Sequence, residues 1–173
     1  PDVPTAHILP HWNWAGREGE VTPVHVYTSG DEAELFVNGV SQGRKQRGPH
    51  QYRFQWDEVK YTPGELRVKT WRKGRAWAED VMRTAGEPVR VARSERRFGK
   101  LTFVTFSLVD EKGTLCPHRD RTLSFATKPG TRLVALCNGD PSSHEDFRGT
   151  SMTTFHGLLL AIVQGASEGL LPQ

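Results

Sequence analysis

Residues 138–163 read NGDPSSHEDFRGTSMTTFHGLLLAIV, a polar loop that leads into a dense apolar segment. Asn138 followed by Gly139 is a strong turn signal, because both residue types tolerate a positive φ. Pro141 fixes its own φ and cannot donate a hydrogen bond to a sheet ladder. The apolar residues 158–163 therefore predict a buried β-strand that begins where the polar loop ends.

Apolar and polar residues alternate in short segments along the whole chain. Tyr52, Phe54 and Trp56 share one face of such a segment, which favours a core position for Trp56, and Leu66 and Val68 repeat the pattern. A period of two is typical of half-buried antiparallel strands, and short strands about ten residues apart indicate a sandwich or a barrel. No segment is convincing as a helix of three turns, so the sequence predicts an all-β fold.

The composition changes near the middle of the chain. All five tryptophans precede residue 78, and residues 84–88, TAGEP, form a turn-rich junction. A second series of strand patterns follows this junction, beginning near residue 89 and ending near residue 163. We therefore predict two consecutive all-β domains that are joined near residue 86.

Charge and hydropathy exclude several classes of partner. The formal net charge is only +3, and the basic clusters at residues 44–47 and 72–75 coincide with turn signals. A nucleic-acid-binding domain usually carries a stronger basic stripe, so we expect no nucleic-acid partner. No run of about 18 apolar residues could span a membrane, and we expect no membrane partner. Because the chain begins at Pro1 without an initiator Met, we interpret it as a fragment of a longer protein.

Acidic residues occur as close neighbours in sequence and mostly flank turns. The groups are Asp31, Glu32 and Glu34; Asp57 and Glu58; Glu79 and Asp80; Glu145 and Asp146. Adjacent residues of a strand point to opposite faces, so such pairs do not converge on one scissile bond, as glycoside hydrolysis requires. A triad from Ser142, Ser143 and His144 is disfavoured, because sequence neighbours rarely form one. We predict no catalytic residue in the chain.

Candidate metal ligands lack a recognisable spacing. The histidines considered are His7, His11, His118, His144 and His156, and an oxygen-rich calcium loop would use Asn138, Asp140 and Asp146. Pro10 interrupts the spacing between His7 and His11, which therefore cannot form a helical pair. Polar residues that close turns are the favoured interpretation, so we predict no metal and no cofactor.

The two cysteines, Cys116 and Cys137, leave two alternatives open. They form a disulfide, as in many exported proteins, or they remain as two free, partly buried thiols. Cys137 ends the predicted strand 133–137, whereas Cys116 follows the predicted hairpin turn at residues 110–113. We favour free thiols.

The tryptophans are the strongest binding signal. Trp12, Trp14, Trp71 and Trp77 are our candidates for contact with a glycan or with a neighbouring domain, since sugars stack on exposed aromatic faces. The alternative is that these large side chains fill a core. Strand parity places Trp71 opposite to Leu66 and Val68, which indicates an outward position.

Three segments resemble bacterial β-galactosidase-like enzymes of glycoside hydrolase family 2. Residues 7–14, HILPHWNW, are similar to the exit from the catalytic barrel of these enzymes. Residues 24–39, VHVYTSGDEAELFVNG, with 61–66 and 77–81, resemble the first immunoglobulin-like domain after the barrel, and residues 138–158 resemble the terminal domain. The resemblance covers nearly the whole chain, in the order of the family.

The resemblance implies two consecutive immunoglobulin-like antiparallel β-sandwiches. Residues 1–20 would be a connector from the missing barrel, 21–85 the first sandwich, 86–165 the second sandwich and 166–173 a tail. The parent would be a retaining exo-glycosidase, most often acting on β-galactosides, whose catalytic glutamates lie outside this chain. The implied partner is the catalytic barrel, with glycans as an alternative partner, and the parent's compartment stays open between the bacterial periplasm and the exterior.

The connector carries a further expectation. A segment interrupted by proline cannot be a central strand, so residues 11–14, HWNW, should lie between the barrel and the sandwich. We therefore expect Trp12 or Trp14 to be partly exposed in the isolated chain, or to be covered by a second copy.

Overall fold

The computed structural model describes residues 2–173, and the chain divides after Thr84 into two compact units. The division lies one residue from the expected boundary between residues 85 and 86. Each unit consists of antiparallel β-sheets around its own apolar core, which confirms the predicted all-β fold of two β-sandwiches. Within residues 2–173 no helix is long and apolar enough to cross a membrane.

The first unit, as described from residue 2 to residue 84, has seven strands in two sheets. They are β1 (Ala6–Leu9), β2 (Val24–Thr28), β3 (Glu32–Val37), β4 (Val40–Gln46), β5 (Phe54–Trp56), β6 (Glu65–Arg72) and β7 (Arg75–Arg83). The smaller sheet has the order β1-β2-β5, and the larger has the order β4-β3-β6-β7. Asn38 and Gly39 form the β3–β4 turn with φ of 48° and 82°, a left-handed conformation that these residue types tolerate.

The core of the first unit lies between its two sheets. Alternate residues of β3 and β6, among them Leu35, Leu66 and Val68, are fully buried against the smaller sheet, as the period of two predicts. Phe54 and Trp56 are buried too. Tyr52 differs from the expectation. Strand β5 begins only at Phe54, so Tyr52 lies in the preceding loop and is 66% exposed.

The expected connector is part of the first sandwich. Strand β1 pairs with β2 along its whole length, from Ala6 opposite Thr28 to Leu9 opposite His25. The proline that follows β1 does not interrupt it, because Pro10 lies beyond its last residue. The prediction of a separate connector over residues 1–20 is therefore wrong, at least from Ala6 onward.

The second unit also has seven strands in two sheets. They are β8 (Arg90–Phe98), β9 (Leu101–Val109), β10 (Thr122–Thr127), β11 (Thr131–Cys137), β12 (Ser151–Thr153), β13 (Leu158–Gly165) and β14 (Leu170–Pro172). The sheet orders are β11-β13-β9-β8 and β12-β10-β14. The predicted strand at residues 158–163 thus forms the first six residues of β13, a central strand that pairs with β11 and β9.

The core of the second unit includes part of the expected tail. Phe106, Leu159 and Val163 from the larger sheet meet Phe125 and Leu170 from the smaller one. Leu170 opens β14, which pairs with β10 after a single 3₁₀ turn at Ser167–Gly169. Residues 166–173 are therefore a structural element of the second sandwich, and the prediction of a separate tail is wrong.

Candidate functional site

Trp71 lies on the solvent face of the larger sheet of the first unit, which we call the first outer face. Because Leu66 and Val68 of β6 are buried, Trp71 at the opposite parity points outward, as strand parity predicts. Trp71 pairs with Glu32 of β3, and the next pair along the sheet is Lys69 with Glu34. The first outer face therefore alternates charged and aromatic side chains.

Cations cover both outward aromatic rings of this face. The guanidinium of Arg44 lies 3.8 Å from the centre of the Trp71 ring and 2.7 Å from the Glu32 carboxylate. The ammonium of Lys69 lies 5.8 Å from the centre of the Phe36 ring. Such cation–π contacts contribute about 0.5–1 kcal/mol each at exposed sites. The covered ring faces are thus occupied by the chain itself.

Trp71 and Trp77 line one shallow hollow of about 350 Å³ at the β6–β7 edge. Trp77 donates its indole N–H to Ser29 Oγ at 2.7 Å, which fixes the ring orientation. The guanidinium of Arg72 lies 4.9 Å from the centre of the Trp77 ring. Lys69 and Glu79 complete the polar lining. The hollow combines two aromatic rings with hydrogen-bonding groups, which is the chemistry that a sugar ring requires.

Trp12 is not available to any ligand. It is fully buried in the core of the first unit, donates its indole N–H to the Thr62 carbonyl at 3.0 Å, and meets Tyr61 edge-on with ring centres 5.0 Å apart. The inference that this segment lacks a place in the sandwich is wrong. As a candidate contact residue Trp12 is excluded, because its ring is one of the largest buried side chains of the core.

Trp14 is half-buried against the same core, so the either-or expectation of a partly exposed Trp12 or Trp14 is met by Trp14 alone. The His11 ring stacks on it at 4.3 Å, and the Arg17 guanidinium lies 5.3 Å from its centre. Its indole N–H is buried and has no hydrogen-bond partner among the described residues. Trp14 is therefore a weaker platform for a sugar than Trp71 or Trp77.

A second groove escaped the sequence analysis. It has a volume of about 690 Å³ and is lined by residues of β4, β5 and the loop between them, including His50 and Tyr52, and by Asp57 just after β5. The Arg53 guanidinium lies 5.4 Å from the centre of the Tyr52 ring. The alternation with Phe54 and Trp56 placed Tyr52 on the same strand face as these two residues. Gly48 and Pro49, followed by the polar residues 50–51, are the sequence signal of an exposed loop at this point.

The acidic side chains of the first unit form ion pairs and hydrogen bonds at separate positions. Glu79 pairs with Arg67 at 3.0 Å, and Asp80 accepts the backbone N–H of Ile8 at 2.8 Å. Asp31 accepts the backbone N–H of Lys73 at 2.8 Å. Glu65 lies between Arg67 and Arg83, and the hydrogen bond from Arg67 is the main reason that its pKa is lowered. These carboxylates act as ion-pair partners and turn caps.

The loop at residues 138–157 closes on itself. Glu145 accepts the backbone N–H of Thr153 at 2.9 Å, and the Asn138 amide donates to the Thr153 carbonyl at 2.9 Å. Asp140 accepts from the hydroxyl and the backbone N–H of Ser142, and these two hydrogen bonds lower its pKa. Asp146 accepts the backbone N–H of Arg148. The polar groups of this loop stabilise turns.

No cluster of three or more histidines, cysteines or acidic residues within residues 2–173 could hold a metal ion. The two cysteines are free thiols, so the disulfide alternative is not realised. Cys116 is buried, and burial is the main cause of its raised pKa. Cys137 is half-buried at the end of β11.

Known proteins match both units. Residues 93–170 match the family described as glycoside hydrolase family 2 C-terminal domain 5, and residues 19–78 match a domain of unknown function, DUF4982. The β-galactosidase BoGH2A of Bacteroides ovatus is 36% identical over 169 residues, which cover 94% of this chain and 20% of that protein. The matches define a pair of β-sandwich domains found in glycosidases.

Solved structures of glycosidases are similar to the chain over nearly its whole length. A β-glycosidase from Bacteroides vulgatus has a TM-score of 0.88 at 30% identity, over 95% of this chain and 22% of that one. A glycoside hydrolase family 2 member from Bacteroides cellulosilyticus has a TM-score of 0.91 at 25% identity, over 100% of this chain and 27% of that one. The chain belongs to the C-terminal domains of glycoside hydrolase family 2. It spans about a fifth of the length of the curated relative.

Proposed function

We propose that the chain is the non-catalytic C-terminal part of a longer glycoside hydrolase that cleaves β-galactosides. Its two sandwiches support and frame a catalytic barrel that lies outside this chain. The observation that carries the proposal is the match to the β-galactosidase BoGH2A, which covers 94% of this chain but only 20% of that protein. Most of such an enzyme is therefore sequence that this chain does not contain.

The geometry of the acidic groups supports a non-catalytic role. A retaining glycosidase needs two carboxyl groups about 5–5.5 Å apart, one of them free to carry a proton. The acidic neighbours in this chain are instead engaged one by one, as Glu79 with Arg67 and Glu145 with Thr153. Of these carboxylates, Glu79 lines the Trp71–Trp77 hollow, and it forms an ion pair with Arg67.

The proposal is tested by assaying the purified chain and the full-length protein side by side. We expect nitrophenyl β-galactoside to be hydrolysed by the full-length protein and not by the chain. A nitrophenyl β-glucuronide and a β-glucoside serve as comparison substrates for the sugar. Turnover by the chain itself, lost in Glu145→Gln or Asp146→Asn, would overturn the non-catalytic assignment.

A second candidate function is glycan binding at the Trp71–Trp77 hollow. Two tryptophan rings and the polar groups of Lys69 and Glu79 meet there within a single hollow of the first unit. A sugar ring would stack on one face of the Trp71 indole, because Arg44 covers the opposite face. The ring would then act as a platform that is held rigid by its own cation.

Affinity electrophoresis through gels that contain β-galactan tests this second function. If the hollow binds the polymer, it should retard the chain, and Trp71→Ala should remove the retardation. Tyr52→Ala is the matched control, because Tyr52 is an exposed aromatic residue of the other groove. Equal mobility of the chain and Trp71→Ala in every gel would exclude glycan binding at this hollow.

A further inference from the structure

The solvent face of the larger sheet of the second unit is apolar, and we call it the second outer face. In β9 and β13 the buried residues alternate with outward ones, so the outward set is fixed by parity. Pairing across the strands adds the outward residues of β8 and β11. The large apolar members are Phe98, Leu101, Phe103, Leu158, Leu160 and Ile162.

These residues form a continuous surface. Phe103 lies opposite Ile162, and Leu101 lies opposite Phe98, in neighbouring rows of the sheet. The rings of Phe98 and Phe103 meet edge-on, with their centres 5.3 Å apart, which places both on one face. Phe98 is 55% exposed and Leu158 is 36% exposed. Small residues, such as Ser107 opposite Leu158, lie between the larger ones.

The charges on this face have a single sign. Arg90 and Arg96 occupy outward positions of β8, and Arg132 lies opposite the outward Gln164 at the other edge. Glu95, the one acidic residue of β8, has the opposite parity and binds Ser167 at 2.7 Å. Among the described residues of the four strands, the outward positions hold no carboxylate.

We propose that the second outer face is a docking surface for another domain of the same polypeptide, one with an apolar centre and a carboxylate rim. The proposal rests on the proposed function, because it requires that the chain is part of a longer enzyme. The relative BoGH2A is about five times as long as the matched region, so the parent supplies other domains on the same polypeptide. A covalent tether raises their effective concentration at this face.

Charge and area argue against a second copy of the chain as the occupant. When two copies of the face meet, the only charged groups that Arg96 and Arg132 of one copy can meet on the other are cations, and like charges in contact disfavour association. The four strands have seven to nine residues, and at a spacing of about 4.8 Å they give a face of roughly 500 Å². A stable complex of separate proteins buries about 800 Å² per partner. Interfaces between domains of one chain are smaller, from about 600 Å² in total.

The native cysteines provide the test. Cys137 pairs with the outward Leu160 and follows the buried Leu136, so it lies on the second outer face, whereas Cys116 is buried in the same unit. N-ethylmaleimide labelling, followed by mass spectrometry of the tryptic peptide that contains Cys137, is measured in the free chain and in the full-length protein. We expect rapid labelling in the free chain and strong protection in the full-length protein. Cys116 should resist labelling in both.

Charge variants of the full-length protein identify the occupant. Arg96→Glu together with Arg132→Glu should raise the labelling rate of Cys137 several-fold, because carboxylates on the partner would then meet carboxylates. Arg97→Glu is the matched control, since Arg97 is the next residue of the same strand and has the opposite parity. If the double variant leaves the labelling rate of Cys137 unchanged, the proposal that the partner carries a carboxylate rim is wrong.

Two further results would overturn the proposal. The first is equal labelling of Cys137 in the free chain and in the full-length protein. The second is a dimer of the free chain in light scattering that Ile162→Lys converts to monomer, because the occupant would then be a second copy. Failure of the proposed function is a separate outcome, seen as glycoside turnover by the free chain in the same preparations.

Discussion

The two larger sheets share a strand pattern but differ in their outward residues. Both are four-stranded and antiparallel, and both bury alternate side chains against a smaller sheet. The first outer face is charged, and cations such as Arg44 cover its rings. The second outer face carries the half-buried Phe103, Leu160 and Ile162 on neighbouring strands. A sheet of this kind therefore folds with a polar outer face. The apolar side chains of the second outer face are not needed for folding and require another explanation.

The largest expected effect is a difference in the free energy of unfolding between substitutions on the two sides of β13. Leu159 is buried in the core, so Leu159→Ala should reduce the free energy of unfolding by about 2–5 kcal/mol. Leu160, the next residue, points outward, so Leu160→Ala in the free chain should cost less than about 1 kcal/mol. Urea unfolding followed by far-UV circular dichroism measures both. Equal losses would mean that the second outer face is already covered within the chain.

An intermediate effect concerns the cations of the two faces. Arg44→Ala removes a cation–π contact and an ion pair, so it should destabilise the first unit by about 1 kcal/mol. Arg96 has no ion pair among residues 2–173, so Arg96→Ala should change stability by no more than about 0.5 kcal/mol. Tryptophan fluorescence follows the unfolding of the first unit selectively, because all five tryptophans precede residue 78, and far-UV circular dichroism of the same samples follows the second unit as well. An effect of Arg96→Ala larger than that of Arg44→Ala would reverse the comparison.

The smallest expected effect is the pH dependence of Glu65. Arg67 and Arg83 lower the pKa of Glu65 in the folded state, so its contribution to stability is fully present above its ordinary value near 4.5. The contribution is lost as the pH falls through the lowered pKa. Glu65→Gln should therefore cost less than about 1 kcal/mol at pH 7, and this difference should disappear in acid and shrink in 1 M salt. A difference that grows on acidification would contradict this assignment.

The buried strands could be predicted from the sequence, whereas the edge and terminal strands could not. The buried residues 104, 106 and 108 are apolar at every second position and residues 158–163 are apolar throughout, and these segments form β9 and the first six residues of β13. Strand β4 lies at a sheet edge and reads VSQGRKQ, and most of β8, also an edge strand, is charged or polar. Edge strands are commonly charged because charge discourages pairing with another chain, so they lack the apolar period.

The candidate site was only partly predictable for the same reason. Parity placed Trp71 outward, and the structure brings it beside Trp77 because a register shift after Thr70 changes the pairing of β6 with β7. No sequence pattern indicates such a shift. The burial of Trp12 depends on β1, a strand of four residues flanked by prolines that becomes recognisable only when β2 pairs with it. The apolar second outer face was missed, because a run such as 158–163 indicates burial on both faces.

The most direct test of the central claim compares the two outer faces by hydroxyl-radical footprinting, read out by mass spectrometry. Phe103, Leu160 and Ile162 report on the second outer face, and Phe36 and Trp71 on the first. In the free chain we expect oxidation of both faces. In the full-length protein we expect the residues of the second outer face to be protected, while oxidation of Phe36 and Trp71 is unchanged. Equal oxidation of the second outer face in the two proteins would contradict its role as a docking surface.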